Sequence, residues 1–162
     1  MPQNNYYRLI KLAEEVFDAK HDPEQLDVNQ EVLNRLSEIH PASVSEYNDE
    51  NGPVAWVLVF PTTGNLMETF LQNKISEKEL FLSTPADAEY DAIYLCSALV
   101  LEEYRQKGIT KRLASEAISE IRTQHPIKAL FVWAFTKEGD LASETIAATV
   151  SLPLFKRSES HQ

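Results

Sequence analysis

The segment from Ala92 to Phe135 sets the tightest limit on how this chain can fold. It opens with AIYLCSALVL and closes with KALFVWAF, two continuous apolar runs of strand length, the pattern of strands covered on both faces. Between them, from Gly108 onward, Ile109, Leu113, Ala117 and Ile121 recur every four residues. Ala114 and Ile118 widen that stripe, and His125-Pro126 ends it. Two buried strands joined by an amphipathic helix predict a parallel pair with a right-handed crossover.

The flanks are less strongly patterned. Tyr6, Ile10, Ala13 and Phe17, widened by Leu9, Leu12 and Val16, predict a helix over residues 6–20 with one buried face. HDPEQLD breaks that pattern, and Asn29 can cap a second helix that carries Val32, Leu33, Leu36 and Ile39 inward until Pro41. SVSEY, a DENG turn and PVAWVLVF then read as a hairpin. Residues 62–82 return to helical spacing through Leu66, Phe70 and Leu71, and Ser76 with Glu79 forms a capping box for a further short helix. STPADAEYD reads as a polar loop, TKEGD as another, SETIAATV as a short helix, SLPLF as a last apolar piece and KRSESHQ as a mobile tail.

One domain accommodates 162 residues, and 1–157 is expected to be that domain with 158–162 a mobile tail. No apolar run approaches the ~20 residues that span a bilayer, and MPQNNYYRLIKLAEEVF carries too much charge for a signal peptide, so the expected location is the cytoplasm, with no membrane partner. A net charge of −10 opposes a phosphate backbone and argues against a nucleic-acid partner. One cysteine, Cys96, excludes an internal disulfide, and four scattered histidines offer no zinc-like spacing, so no metal is expected. Cys96, inside an apolar strand, reads as a buried structural residue, and Trp56 and Trp133 read as core.

The turn YRQKGITK, residues 104–111, is the chemically distinctive stretch. The chain has four glycines, too widely spaced for a dinucleotide fingerprint or a Walker loop. One of them, Gly108, opens a helix after a buried strand, with Arg105, Lys107, Lys111 and Arg112 around it. Cations at a helix N-terminus oppose its dipole, whereas free amides there bind anions and glycine allows close approach.

VLEEYRQKGITKRLASEAI, between these two strands, resembles the acetyl-CoA signature of the GNAT N-acetyltransferase superfamily, where Arg/Gln-x-x-Gly-x-Gly/Ala opens the third helix. Arg105, Gly108 and Thr110 take the three defining positions, with Thr110 departing from the usual Gly or Ala, and Val100 and Tyr104 match the valine and aromatic that commonly precede them. The resemblance is best over 92–135 and implies an α/β (α+β) fold: a mixed, mostly antiparallel sheet with a central parallel strand pair and flanking helices. Residues 62–91 depart from it, because the family turns tightly there.

By the resemblance, acetyl-CoA or another acyl-CoA is the co-substrate. Its pyrophosphate would lie on the amides of Gln106, Lys107, Gly108, Ile109, Thr110 and Lys111, beside Arg105. Its pantetheine would pair with the strand edge at Ala98, Leu99 and Val100, and an amide at Leu99 or Ala98 would polarise the thioester carbonyl.

Direct transfer to an amine also needs a base and an acid. The strand carboxylate of many relatives is replaced here by Tyr94, a poor base at a pKa near ~10, and Glu89 or Asp91 could substitute from the adjoining loop. The family's late-helix tyrosine acid is missing from SETIAATVSLPLF, leaving Ser143 or Ser151 to hold a water. An early asparagine is also replaced, by Ser143 or Glu144. Glu46, Asp49 and Glu50 could attract a cationic acceptor.

Three functions follow from these residues. The first is N-acyl transfer from acetyl-CoA to a primary amine on a small molecule or protein, in an enzyme that could be a homodimer. The second is a weak or inactive relative that binds CoA or a partner protein, and the third is an interaction module without a CoA site.

Overall fold

The computed structural model describes residues 5–20, 30–133 and 137–157. The expected break at 21–27, the cap Asn29, the end of the second apolar run at 134–135 and the tail at 158–162 lie outside them, as do the side chains of Val16 and Phe17. The helices are α1 (Asn5–Lys20), α2 (Gln30–Ile39), α3 (Gly64–Leu71), α4 (Glu77–Ser83), α5 (Ile109–Arg122) and α6 (Lys137–Val150). The strands are β1 (Val44–Asp49), β2 (Gly52–Thr62), β3 (Ala92–Val100), β4 (Ala129–Val132) and β5 (Leu154–Lys156), and they lie in one sheet in chain order.

The sheet is mixed. β1 with β2 is antiparallel, as the DENG turn between them requires, and β2 with β3 is antiparallel as well. β3 with β4 is parallel, joined through α5. β4 with β5 is parallel as well, joined through α6, so the parallel part is one strand wider than the single pair expected. SLPLF supplies that extra strand, too short for period-2 alternation to mark it.

Register puts Phe60, Tyr94, Phe131 and Phe155 side by side across four strands, on one face. Ring centroids lie 5.4 Å apart for Phe60 and Tyr94 and 5.0 Å for Tyr94 and Phe131. The 62–91 segment, which departs from the family pattern, covers this row: Phe70 of α3 meets Tyr94 edge-on at 5.2 Å, and Phe81 of α4 meets Phe60 at 5.8 Å. The capping box of Ser76 and Glu79 starts α4 as expected. On the opposite face, the six apolar residues of the α5 stripe are all buried, and Arg112 stacks over Tyr47 of β1 at 4.8 Å. β2 is therefore buried almost throughout.

Three local expectations are corrected. Among the described side chains of α1 the buried ones are Asn5, Leu9 and Ala13, while Tyr6 is 40% exposed and meets the Trp56 ring edge-to-face at 5.8 Å. The stripe is rotated because Asn5 is drawn in by the hairpin turn, donating from Nδ2 to Asp49 Oδ1 at 2.7 Å. KEGD is the first turn of α6 and not a loop, with Glu138 and Asp140 placed where the helix dipole favours anions. In the expected tail KRSESHQ, Lys156 belongs to β5 and Arg157 is buried. The Arg157 guanidinium lies 4.4 Å from the Phe70 ring and 4.5 Å from the Trp133 ring, and donates to Asn73 Oδ1 and to the Ile75 carbonyl. The last strand thereby locks the α3–α4 segment onto the sheet.

Phe70 is fully buried at the centre of this packing. Phe70→Ala should cost about 3–5 kcal/mol of unfolding free energy, read by denaturant titration. A loss below about 1 kcal/mol would mean that α3 does not cover the aromatic row.

Candidate functional site

The site begins where two strands part. β3 and β4 pair from Ala92↔Ala129 to Leu95↔Val132, and no pairing between them continues among the described residues. On its other side β3 stays paired to β2 as far as Val100. The register there steps from Val59↔Leu95 to Leu58↔Ser97, which leaves Cys96 as a bulged residue at the point of parting. Bulges bend a strand and increase its twist. Beyond it, Ala98, Leu99 and Val100 keep one backbone edge without a strand partner among the described residues.

A short 3-10 turn at Glu102–Tyr104 leads into the cation-rich loop. Gln106 and Gly108 both take left-handed backbone, with φ of 63° and 76°, which curls the loop before α5 starts. A Cβ at Gly108 would meet nothing within 4 Å, so glycine is favoured by its φ and not by crowding within the protein. Gly108 is the N-cap of α5 and provides no side-chain cap for the first-turn amides. Arg105, Gln106, Lys107 and Lys111 are exposed, and Arg105 Nε donates to the Val100 carbonyl at 3.2 Å.

One groove of about 230 Å³ joins these parts. Leu12 of α1, Ala98, Leu99 and Val100 of β3, Arg105 and Thr110 line it. Five of the expected cofactor-binding residues are thus brought together, and sequence reasoning missed Leu12, whose spacing marked it only as part of a helix stripe.

The expected catalytic side chains do not gather there. Tyr94 is fully buried in the aromatic row and donates its hydroxyl to Glu77 Oε2 at 2.5 Å. Burial, reinforced by the Glu77 charge, pushes that hydroxyl well above its usual range, so it stays protonated. Asp91 accepts from the Gly64 amide at 2.6 Å and holds the start of α3. Ser143 is buried and donates to the Gly139 carbonyl, Glu144 pairs with Lys156 at 2.6 Å, and Glu89 and Ser151 are exposed on loops outside the groove lining. Cys96 is half-buried instead of fully buried, while Trp56 and Trp133 are core as expected.

Glu46 accepts from Trp56 Nε1, and Asp49 is bound on both oxygens. Among the described residues no group of three or more His, Cys, Asp or Glu side chains could hold a metal ion, and no helix is long and apolar enough to cross a membrane.

Glu77 was not anticipated as a partner for β3. Its signal was weak: one acidic residue in the first turn of a short helix, where the helix dipole alone explains an anion.

Beside the groove, Arg8 of α1 pairs with Glu103 at 2.7 Å. The Arg8 bond, helped by a backbone amide, lowers the Glu103 carboxyl to about 2, while the Tyr104 hydroxyl and the Asn51 amide lower Asp49. Both groups are solvent-exposed enough for water to screen much of this gain.

No protein-family model and no curated protein matches this chain. Among solved structures it is similar to one described as "GphF GNAT-like decarboxylase in complex with isobutyryl-CoA", at 16% identity and a TM-score of 0.48 over 73% of this chain. The chain spans 57% of the length of that structure, and the likeness gives no residue a role here. The molecule's own topology has what the GNAT resemblance implied: a hairpin, then a strand, helix, strand unit whose first strand has, among the described residues, a free edge beside the helix start.

A lowered carboxyl stabilises the fold above its unfolded value and loses that contribution as pH falls toward its folded value. For Glu103 the window runs from 4.5 down to about 2. The Tm difference between wild type and Glu103→Gln should be constant near neutral pH and shrink as pH falls through that window. A difference that grows toward acid would contradict the Arg8–Glu103 assignment.

Proposed function

We propose that this chain binds acetyl-CoA or another acyl-CoA in the groove and transfers the acyl group to a primary amine. The observation that carries the reading is the groove itself: one continuous lining runs from the open edge of β3 at Ala98, Leu99 and Val100 to Arg105 and Thr110 at the start of α5. A flat amide-bearing arm needs an unpaired strand edge, and a pyrophosphate needs free amides and positive charge at a helix N-terminus. The strand edge lines this groove, and Arg105 and Thr110 carry the lining up to the helix start.

In this reading the pantetheine arm lies along β3, and the main-chain amide of Ala98, which the alternation of the β2–β3 ladder turns to the open edge, polarises the thioester carbonyl, whereas the Leu99 amide faces β2. The pyrophosphate sits on the amides of residues 106–111, with Lys107 and Lys111 supplying charge. Leu12 shields one side of the arm. The acceptor is a primary amine on a small molecule or a protein, and the setting is cytoplasmic, where acyl-CoA is available. The amine nitrogen attacks the carbonyl carbon, the carbon–sulfur bond breaks, the nitrogen gives up one proton, and CoA leaves as a thiolate that takes up that proton, directly or through water.

A second reading is a CoA-binding protein with little or no turnover. It is favoured by the composition of the groove lining, which among the described residues has no carboxylate, histidine, tyrosine or cysteine, and by the burial of Tyr94 in the aromatic core.

Both readings require cofactor binding. Acetyl-CoA at 100 times its Kd should stabilise the fold by about 2.7 kcal/mol, seen as a rise in Tm. No rise at millimolar acetyl-CoA would remove both. A thiol-release assay across a panel of primary amines separates them: release with any amine supports the transferase, and binding without release supports the binder.

Gly108 supplies a sharper test. Asn and Asp have nearly the same size and both tolerate left-handed backbone, so their difference isolates charge. Gly108→Asn should retain measurable CoA binding, whereas Gly108→Asp should abolish it by calorimetry. Equal affinities would place the phosphates elsewhere.

A further inference from the structure

The loop that carries Arg105 to Gly108 has few ties of its own. Tyr104 N bonds to Leu101 O and Arg105 N to Glu102 O, and the next main-chain bond from this stretch is Arg112 N to Gly108 O, within α5. Between those points the backbone runs through two left-handed residues with exposed side chains. One side-chain tie starts within it, from Arg105 Nε to the Val100 carbonyl at 3.2 Å, and the others act at its ends.

Two side-chain ties act at the N-terminal end. Tyr104 donates its hydroxyl to Asp49 Oδ2 at 2.6 Å, and Asp49 Oδ1 accepts from Asn5 Nδ2 and from the Asn51 amide, each at 2.7 Å. Glu103, one residue earlier, accepts from Arg8, whose other nitrogen donates to Asn5 Oδ1 at 3.2 Å. The Asn5 amide itself donates to the Asn51 carbonyl at 3.2 Å. The hairpin turn, the first turn of α1 and the loop before α5 are therefore one connected unit. α1 is also the element that gives Leu12 to the groove.

We propose that Tyr104 is a positioning residue for the phosphate end of the CoA site, acting through Asp49 to hold the loop at residues 105–108 in its binding shape. The inference rests on the acyl-CoA reading above and adds a residue that does not line the groove. Without the hydroxyl, the loop keeps its sequence, its glycine and its cations but loses its tie to the hairpin. The free energy of ordering it is then drawn from binding.

The test uses the full chain and three probes by calorimetry: CoA, adenosine 3′,5′-bisphosphate as its nucleotide half, and pantetheine as its other half. Tyr104→Phe should weaken CoA and the bisphosphate about threefold to tenfold, the scale of one net hydrogen bond, with pantetheine affinity unchanged. Asp49→Ala should do the same, Asp49→Asn should restore part of the loss by keeping an acceptor, and the double variant Tyr104→Phe with Asp49→Ala should be no worse than either alone. Tm is recorded for each variant.

If wild type binds none of the probes, the acyl-CoA reading fails and this inference fails with it. If wild type binds and Tyr104→Phe binds equally well, the positioning role alone is overturned. Equal losses for the bisphosphate and pantetheine, or a loss that follows Tm across the variants, would show a general structural role and overturn it too.

Discussion

Everything proposed for this molecule depends on one break in hydrogen bonding, the end of the β3–β4 ladder, among the described residues, after Leu95 and Val132. Backbone N–H and C=O groups must find partners, and a strand that leaves its neighbour exposes a row of them. Here the exposed row falls on Ala98 and Val100, because Leu101 N bonds to Val54 O and the alternation turns Leu99 toward β2, and the bulge at Cys96 bends the strand at the same point. The chain then reaches Gly108 and the uncapped start of α5 within eight residues of Val100. An open edge followed at once by an open helix N-terminus is suited to a ligand that carries amides at one end and phosphates at the other.

The rest of the fold makes that break tolerable. The row of Phe60, Tyr94 and Phe131 lies where the strands are still paired, and α3 and α4 cover it through Phe70 and Phe81. Glu77 is buried with this row and meets the Tyr94 hydroxyl, and Arg157, stacked on Phe70 and Trp133, ties the segment to the last strand. A tightly packed end of the sheet thus lets the other end stay partly unpaired. The same packing removes Tyr94 from reach of solvent, and for that reason binding is better supported than chemistry.

Much of this was legible in the sequence, because the governing signals were local. The fourfold spacing of Ile109, Leu113, Ala117 and Ile121 gave α5 and its buried face, and Gly108 before that stripe marked the helix start. The Ser76–Glu79 box likewise set the start of α4. The misses were long-range. AIYLCSALVL reads as uniformly covered, yet its second half is only partly buried, because coverage depends on where β4 ends and not on the run itself. Arg157 sits in a charged terminal string and is buried by Phe70 and Trp133, which nothing nearby announces. Asp49 looked like a surface charge available to a cation, but Tyr104, 55 residues away, uses it.

The central claim is that β3's open edge and α5's first amides form one ligand site, and amide hydrogen exchange with and without acetyl-CoA tests it most directly. Exchange should slow together at residues 98, 100 and 106–111, with the paired stretch 92–95 and Leu99 already protected and unchanged. Slowing confined to other elements, or none at saturating acetyl-CoA, would contradict the account.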